Sequence, residues 1–180
     1  MLTAILVLCV VGGGALAWQA TRRERTRSSR LPVRVRGPGE LRTRDVVSYL
    51  GRDYLVEGVV TLGEGALRRR LARLCDGPDE CWLLAEGDEL VLLRRASVEA
   101  PPLPPPESLL LETETYHLVD SGAGRAVHHG DVGTRTHDRA RFWRYRGPGG
   151  RRAWLDDFRT TELLVGEVVS AAMLEVLPGS

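Results

Sequence analysis

The four histidines of this 180-residue chain, His117, His128, His129 and His137, lie in one short stretch beside Asp120, Asp131 and Asp138. Imidazole and carboxylate are ligands that zinc and other divalent ions take. His128, His129, His137 and Asp131 are therefore the candidate metal ligands. The stretch lacks the HExxH spacing that places two histidines and a base on one helical face. Adjacent histidines on a strand point to opposite faces, so His128 and His129 could share an ion only from a loop. Polar side chains on an exposed hairpin explain the same residues without a metal.

Three further groups could carry chemistry. Cys75 and Cys81 flank Asp76-Gly77-Pro78-Asp79-Glu80 and could face each other across a hairpin. A bridge between them would be natural outside the cytoplasm, and free thiols inside it. Arg68-Arg69-Arg70 with Arg73 could hold phosphate or lipid headgroups, or serve as the charged edge that keeps a strand from pairing further. Asp156-Asp157 is a possible acid pair, but nothing completes it as a general acid or nucleophile, and it reads as a solvated turn. Gly63-Glu64-Gly65 and Ser121-Gly122-Ala123-Gly124 match neither a P-loop nor a dinucleotide fingerprint and read as turns. No catalytic residue and no cofactor is assigned, and the chain is expected not to be an enzyme.

The elements that must position these residues read as short strands. Asp45–Ser48 leads through Tyr49-Leu50-Gly51-Arg52-Asp53 into Tyr54–Val60, a hairpin. The segment 66–75 alternates leucine and arginine. A strand is preferred there over a helix because the turn Asp76-Gly77-Pro78 and the apolar runs Trp82-Leu83-Leu84 and Leu90–Leu93 follow, extending a meander. Pro101-Pro102-Leu103-Pro104-Pro105-Pro106 must be extended and reads as a stiff spacer. Beyond it come a run over Leu109–Val119, an aromatic strand Arg141–Tyr145, a turn at Gly147-Pro148-Gly149-Gly150, the strand opening at Trp154-Leu155, and a closing strand pair within 162–177. A tight turn, an aromatic strand and a Trp-Leu pair recur in both halves and hint at duplication.

The N-terminus has a different character. Leu2–Trp18 contains no charged side chain, and at about 1.5 Å per residue it covers roughly 25 Å, near the lower limit for a membrane span. Trp18 and the following Arg22, Arg23, Arg25 and Arg27 are placed at the membrane interface, the arginines on the cytoplasmic side. A cleaved secretory signal is the rival, since Ala15-Leu16-Ala17 fits a cleavage site. Against it, no basic residue precedes the apolar run. Outside residues 22–30 the chain carries 20 arginines against 23 acids, and it has no lysine. A slightly acidic body argues against general nucleic-acid binding, which needs a positive surface.

The runs Arg44-Asp45-Val46-Val47, Gly51, Tyr54-Leu55-Val56-Glu57-Gly58 and Trp82-Leu83-Leu84-Ala85-Glu86, followed by Trp154-Leu155-Asp156 and Gly166-Glu167-Val168, resemble the bacterial family known as domain of unknown function 4178. The resemblance spans about residues 40–177. It departs at Asp156, where glutamate is expected, and in the loop around His128 and His129, which has no counterpart. It implies an all-β domain, often duplicated, with no established activity. Family members are often encoded near polyamine aminopropyltransferases and small membrane proteins, which implies a membrane-associated setting.

The sequence therefore predicts an all-β protein of two small tandem antiparallel units, barrel- or sandwich-like, after one N-terminal transmembrane helix. The segments are 1–20 (anchor), 21–39 (basic linker), 40–100 (first unit), 101–108 (spacer) and 109–178 (second unit). The expected role is a membrane-anchored, non-enzymatic interaction module on the cytoplasmic face of a bacterial inner membrane. Its partners would be the bilayer and another protein, with no nucleic acid and an undefined small ligand. The alternative is a metal-dependent hydrolase or metal sensor built on the 117–137 region.

Overall fold

The computed structural model describes residues 37–63 and 68–179. The predicted anchor, its interface residues Trp18, Arg22, Arg23, Arg25 and Arg27, and most of the basic linker lie outside them. Among the described residues no helix is long and apolar enough to cross a membrane.

Eleven strands follow one another: β1 Val46–Tyr49, β2 Arg52–Leu62, β3 Arg69–Asp76, β4 Asp79–Glu86, β5 Glu89–Arg95, β6 Ser108–Leu111, β7 Glu114–Gly130, β8 Arg139–Arg146, β9 Arg151–Asp157, β10 Thr161–Val168 and β11 Leu174–Leu177. The expected hairpin at the start is present, its two-residue loop held by positive φ at both Leu50 and Gly51, the backbone that matches strand twist. The leucine–arginine segment forms strand β3, as its alternation suggests. It pairs with β4 around the Gly77-Pro78 turn, and β4 pairs with β5.

The pairings β2-β3-β4-β5-β10-β9-β8-β7 close on themselves through β2–β7, giving an antiparallel barrel of eight strands. The expected all-β antiparallel class is found. The two tandem units are not separate, because β5 pairs with β10 and β2 with β7, so each half supplies four staves of one barrel. Neither half alone could close: four strands leave two bare edges, and closure removes both. The order 2-3-4-5 against 7-8-9-10 is what two copies of a four-strand meander give when related by a two-fold axis across the barrel.

Strand β2 changes partner along its length. Val46–Tyr49 covers its first residues, a bulge falls between Val56 and Gly58, and β7 takes over from Gly58 to Leu62. Bulges re-aim a strand in this way. At Gly58 a Cβ would lie 2.1 Å from the Asp131 carbonyl oxygen, so only glycine lets the β7–β8 loop close over the mouth.

Residues 121–124 do not turn the chain. They sit inside β7, which runs unbroken for 17 residues. The glycines there make room: a Cβ on Gly122 would come within 2.8 Å of the Phe142 ring on the neighbouring strand. The closing pair predicted within 162–177 is also rearranged, since β10 joins β5 and β9 while β11 joins β1.

Three apolar clusters result. The barrel interior holds Val60, Leu71, Trp82, Leu93, Trp154 and Leu164 among others. Outside, the wall of the first half is covered by β1, β11 and Leu41. The wall of the second half is covered by β6 and the chain around Leu103. The proline run is therefore packed against the barrel rather than spanning open space, and the Tyr145 hydroxyl donates to the Pro106 carbonyl.

Candidate functional site

An eight-stranded barrel is wide enough for side chains to fill or for one small ligand, and here aromatic rings and ion pairs line its interior. Trp154 faces inward on β9, so Asp156, two residues on, faces inward too. The β7–β8 loop drops Arg135 into the same space. Arg135 and Asp156 are 2% and 0% exposed. The Arg135 Nε donates to Asp156 Oδ2 at 2.8 Å, and its Nη1 lies 2.8 Å from Glu162 Oε2. Trp154 Nε1 donates to the same Asp156 oxygen at 3.0 Å, Thr134 donates to Glu162, and the Arg135 guanidinium sits 4.2 Å from the Trp82 ring centroid. Burial outweighs the Arg135 charge and pushes the Asp156 carboxyl above its ordinary range.

Two further networks lie toward the two ends of β3, with part-exposed members. Arg73, on β3 near the β3–β4 turn, bridges Glu80, Glu57 and Asp131. Burial of Glu80 works against its charge, but the Arg73 hydrogen bonds win and hold its carboxyl below the usual range. At the other end of β3, Arg69 bridges Glu86 and Asp120, and Arg144 joins Glu86. Arg69 also lies over Phe142, whose ring stacks on Trp154 at 5.1 Å. The cations of these networks thus meet carboxylates of the barrel itself.

Outside, where β7, β8 and β9 meet the β9–β10 turn, the wall is bare. A groove of about 790 Å³ is lined there by Arg125, Arg139, Arg141, Arg159, His137, Asp138 and Asp157. Arg125 and Arg139 stand directly opposite each other across β7 and β8, a like-charge pairing that costs stability by a few tenths to about 1 kcal/mol. Neither pairs with a carboxylate among the described residues, and the same holds for Arg159. Arg141 donates to Asp157 at 3.0 and 2.5 Å. Arg159 has φ of +100°, a conformation costing a non-glycine residue about 1–3 kcal/mol. A second groove, of about 580 Å³, crosses the outer face of β5 and β10 and includes Leu50, Val98, Arg94 and Arg151.

The family model described as a domain of unknown function (DUF4178) matches residues 42–171, well over half of the chain. The chain belongs to the DUF4178 family. No curated protein and no solved structure matches it. The match is slightly narrower than the resemblance read from the motifs, yet it contains all eight staves of the barrel.

The predicted site residues of this DUF4178 chain are scattered. His128 and His129 are exposed on β7 opposite Val60 and Val59, and as strand neighbours they face opposite ways. His117 shares a hydrogen bond with Ser108 at 3.0 Å. His137 lies at the arginine groove, its Nδ1 3.2 Å from the Arg139 carbonyl. Asp131 is spent on Arg73, at 2.7 Å, and on the Gly133 amide, so its carboxyl is held below the usual range by that amide and then by Arg73. Among the described residues no group of three or more histidine, cysteine or acidic side chains could hold a metal.

Three readings of the sequence are corrected. Cys75 lies opposite Glu80 and Cys81 opposite Leu74, so the two sulfurs are on opposite faces of the hairpin and remain free. The arginines of β3 are not a solvated edge, because β3 is an inner stave: Arg69 and Arg73 turn into the barrel, and Arg70 donates to the Gly39 and Leu41 carbonyls. Asp156-Asp157 is not a solvated turn but the end of β9, with Asp156 in the core. The two-residue spacing from Trp154 was the signal for that. Nothing in the sequence pointed to Arg135, Glu162 or the facing pair Arg125 and Arg139.

Proposed function

We propose that this DUF4178 chain is a non-enzymatic binding module tethered to the cytoplasmic face of a bacterial inner membrane, and that it binds with the outer wall of its barrel. The observation that carries the reading is the closed interior. Rings and internally neutralised ion pairs occupy space in which an eight-stranded barrel can otherwise hold one small ligand, and the Asp131–Asp138 loop, with Val132 and Arg135 buried, plugs one mouth. Binding then falls to the wall, where two grooves lie between the covering segments. The uncharged stretch Leu2–Trp18 and the arginines that follow it support the tether through the cost of burying charge in lipid and the attraction of arginine to anionic headgroups.

The test is fractionation followed by capture. Full-length protein is expected in the membrane pellet after carbonate washing, and a chain starting at residue 35 in the supernatant. Capture of the full-length protein in mild detergent is expected to recover one stoichiometric protein partner. Recovery of the intact full-length chain in the supernatant would refute the tether, and capture that returns no partner would refute the module.

A further inference from the structure

The arginine groove on β7, β8 and β9 has the attributes of a site for a phosphate-bearing ligand, and we propose that it binds one. The inference rests on the binding-module reading and adds the chemistry of the ligand. The guanidiniums that turn into the barrel are balanced. Arg69, Arg73, Arg135, Arg144 and Arg152 each meet one or more carboxylates within 3.1 Å. On the outer wall some arginines, Arg94 and Arg146 among them, have no acid partner among the described residues, and the groove is where three such residues line one site. Arg125 and Arg139 oppose each other in register, Arg159 joins them from the β9–β10 turn, and none of the three has an acid partner among the described residues.

The acids present do not supply the balance. Asp157 is held by Arg141, and Asp138, which also lines the groove, is 75% exposed and among the described residues pairs with His137 alone, at 3.6 Å. Arg141 is itself braced, its guanidinium 5.7 Å from the Trp143 ring centroid. Three forks with no acid partner among the described residues, lining one groove from two strands and a turn, present bidentate donors to a multiply charged tetrahedral anion, which guanidinium geometry matches. Facing cations that cost stability when empty become favourable once an anion lies between them. The positive φ of Arg159 fits the same account, since glycine would relieve that strain but would remove the third fork.

Inorganic pyrophosphate titrated into the full-length protein in an uncharged detergent, followed by 31P NMR line broadening, tests the site. Saturable binding is expected. Arg125→Ala with Arg139→Ala should weaken it at least tenfold, whereas Arg22→Gln, Arg23→Gln, Arg25→Gln and Arg27→Gln together should leave it unchanged. Arg159→Gly relieves backbone strain and so keeps the fold; it should weaken binding about threefold to tenfold while raising the melting temperature. Vesicles of phosphatidylcholine with phosphatidic acid separate the sources. Capture by vesicles that pyrophosphate reverses and the groove double variant abolishes identifies a headgroup, and soluble pyrophosphate binding without vesicle capture identifies a free phosphate.

Absence of saturable binding, or binding lost with the residue 22–27 variant and kept in the groove variants, would overturn the site. Release of orthophosphate during the titration would support the site and sink the non-enzymatic reading, so the two can fail separately.

Discussion

Replacing Arg135 with methionine removes the one buried cation that Asp156 has and the closest cation that Glu162 has, while roughly keeping the volume over Trp82. Two ion pairs of 2.8 Å disappear, and two carboxylates in register on β9 and β10 are left facing each other. Glu162 keeps Thr134 and the largely exposed Arg95; Asp156 keeps only the Trp154 indole. Removing one partner of a buried pair typically costs about 3–5 kcal/mol, and that is the loss expected near pH 7.5. The pH dependence has a definite sign. The Asp156 carboxyl is already above its ordinary range through burial, so the folded barrel holds this proton more tightly than the unfolded chain, and its contribution makes the protein less stable as pH rises. Without Arg135 the carboxyl moves higher still, and the deficit should be larger at pH 8 than at pH 5. Substituting Asp156→Leu and Glu162→Gln in the Arg135→Met background should recover most of the loss, because no charge then remains unpaired. Urea unfolding of the full-length chain in mild detergent, followed by tryptophan fluorescence at several pH values, measures all of this. A loss under about 1 kcal/mol at pH 7.5, or a deficit that grows toward acid, would show that the interior network is not as isolated from water as its burial indicates.

Gly58→Ala should cost about 3 kcal/mol or more, because the new methyl meets Asp131 backbone rather than a yielding side chain, and faster amide exchange at 132–135 would report the lifted plug. Glu80, Glu89 and Asp131 have carboxyls below their usual range; the stability they add is present above the ordinary carboxyl range and lost as pH falls through the depressed values. Glu80→Gln should therefore flatten the acid side of a plot of urea midpoint against pH. The Cys75 thiol is pushed up to about 12 by burial and by its hydrogen bond to Glu57, and Cys81 to about 11 by burial. In a Cys9→Ser background both should react slowly with iodoacetamide at pH 8, and oxidant should produce no intramolecular bridge; rapid labelling of either would contradict the burial of the thiols, and a bridge would contradict the hairpin register.

Local signals carried the strands. The Leu50-Gly51 loop, the Gly77-Pro78 turn and the two-residue alternation of 69–76 are all properties of adjacent residues, and they were legible. What could not be read locally was closure. The seams β2–β7 and β5–β10 join residues about seventy positions apart, and nothing in either partner's own sequence names the other. Misreading followed from that gap. Without closure β3 looks like an edge, its arginines look solvated, and Asp156 looks like a turn. The glycines of 121–124 read locally as a bend because the ring of Phe142 that they accommodate comes from another strand. The arginine groove has the same origin: Arg125 and Arg139 are unremarkable until the register sets them opposite each other.

The single covalent link between the four staves of each half is the segment between β5 and β6. Were it nicked, each fragment would present two long unsatisfied backbone rims, each the natural complement of the other's. Such pieces should recombine into a working shell when co-expressed. At high concentration intact chains could close by borrowing a half from a neighbour, giving interlocked pairs whose shells are as complete as the monomer's.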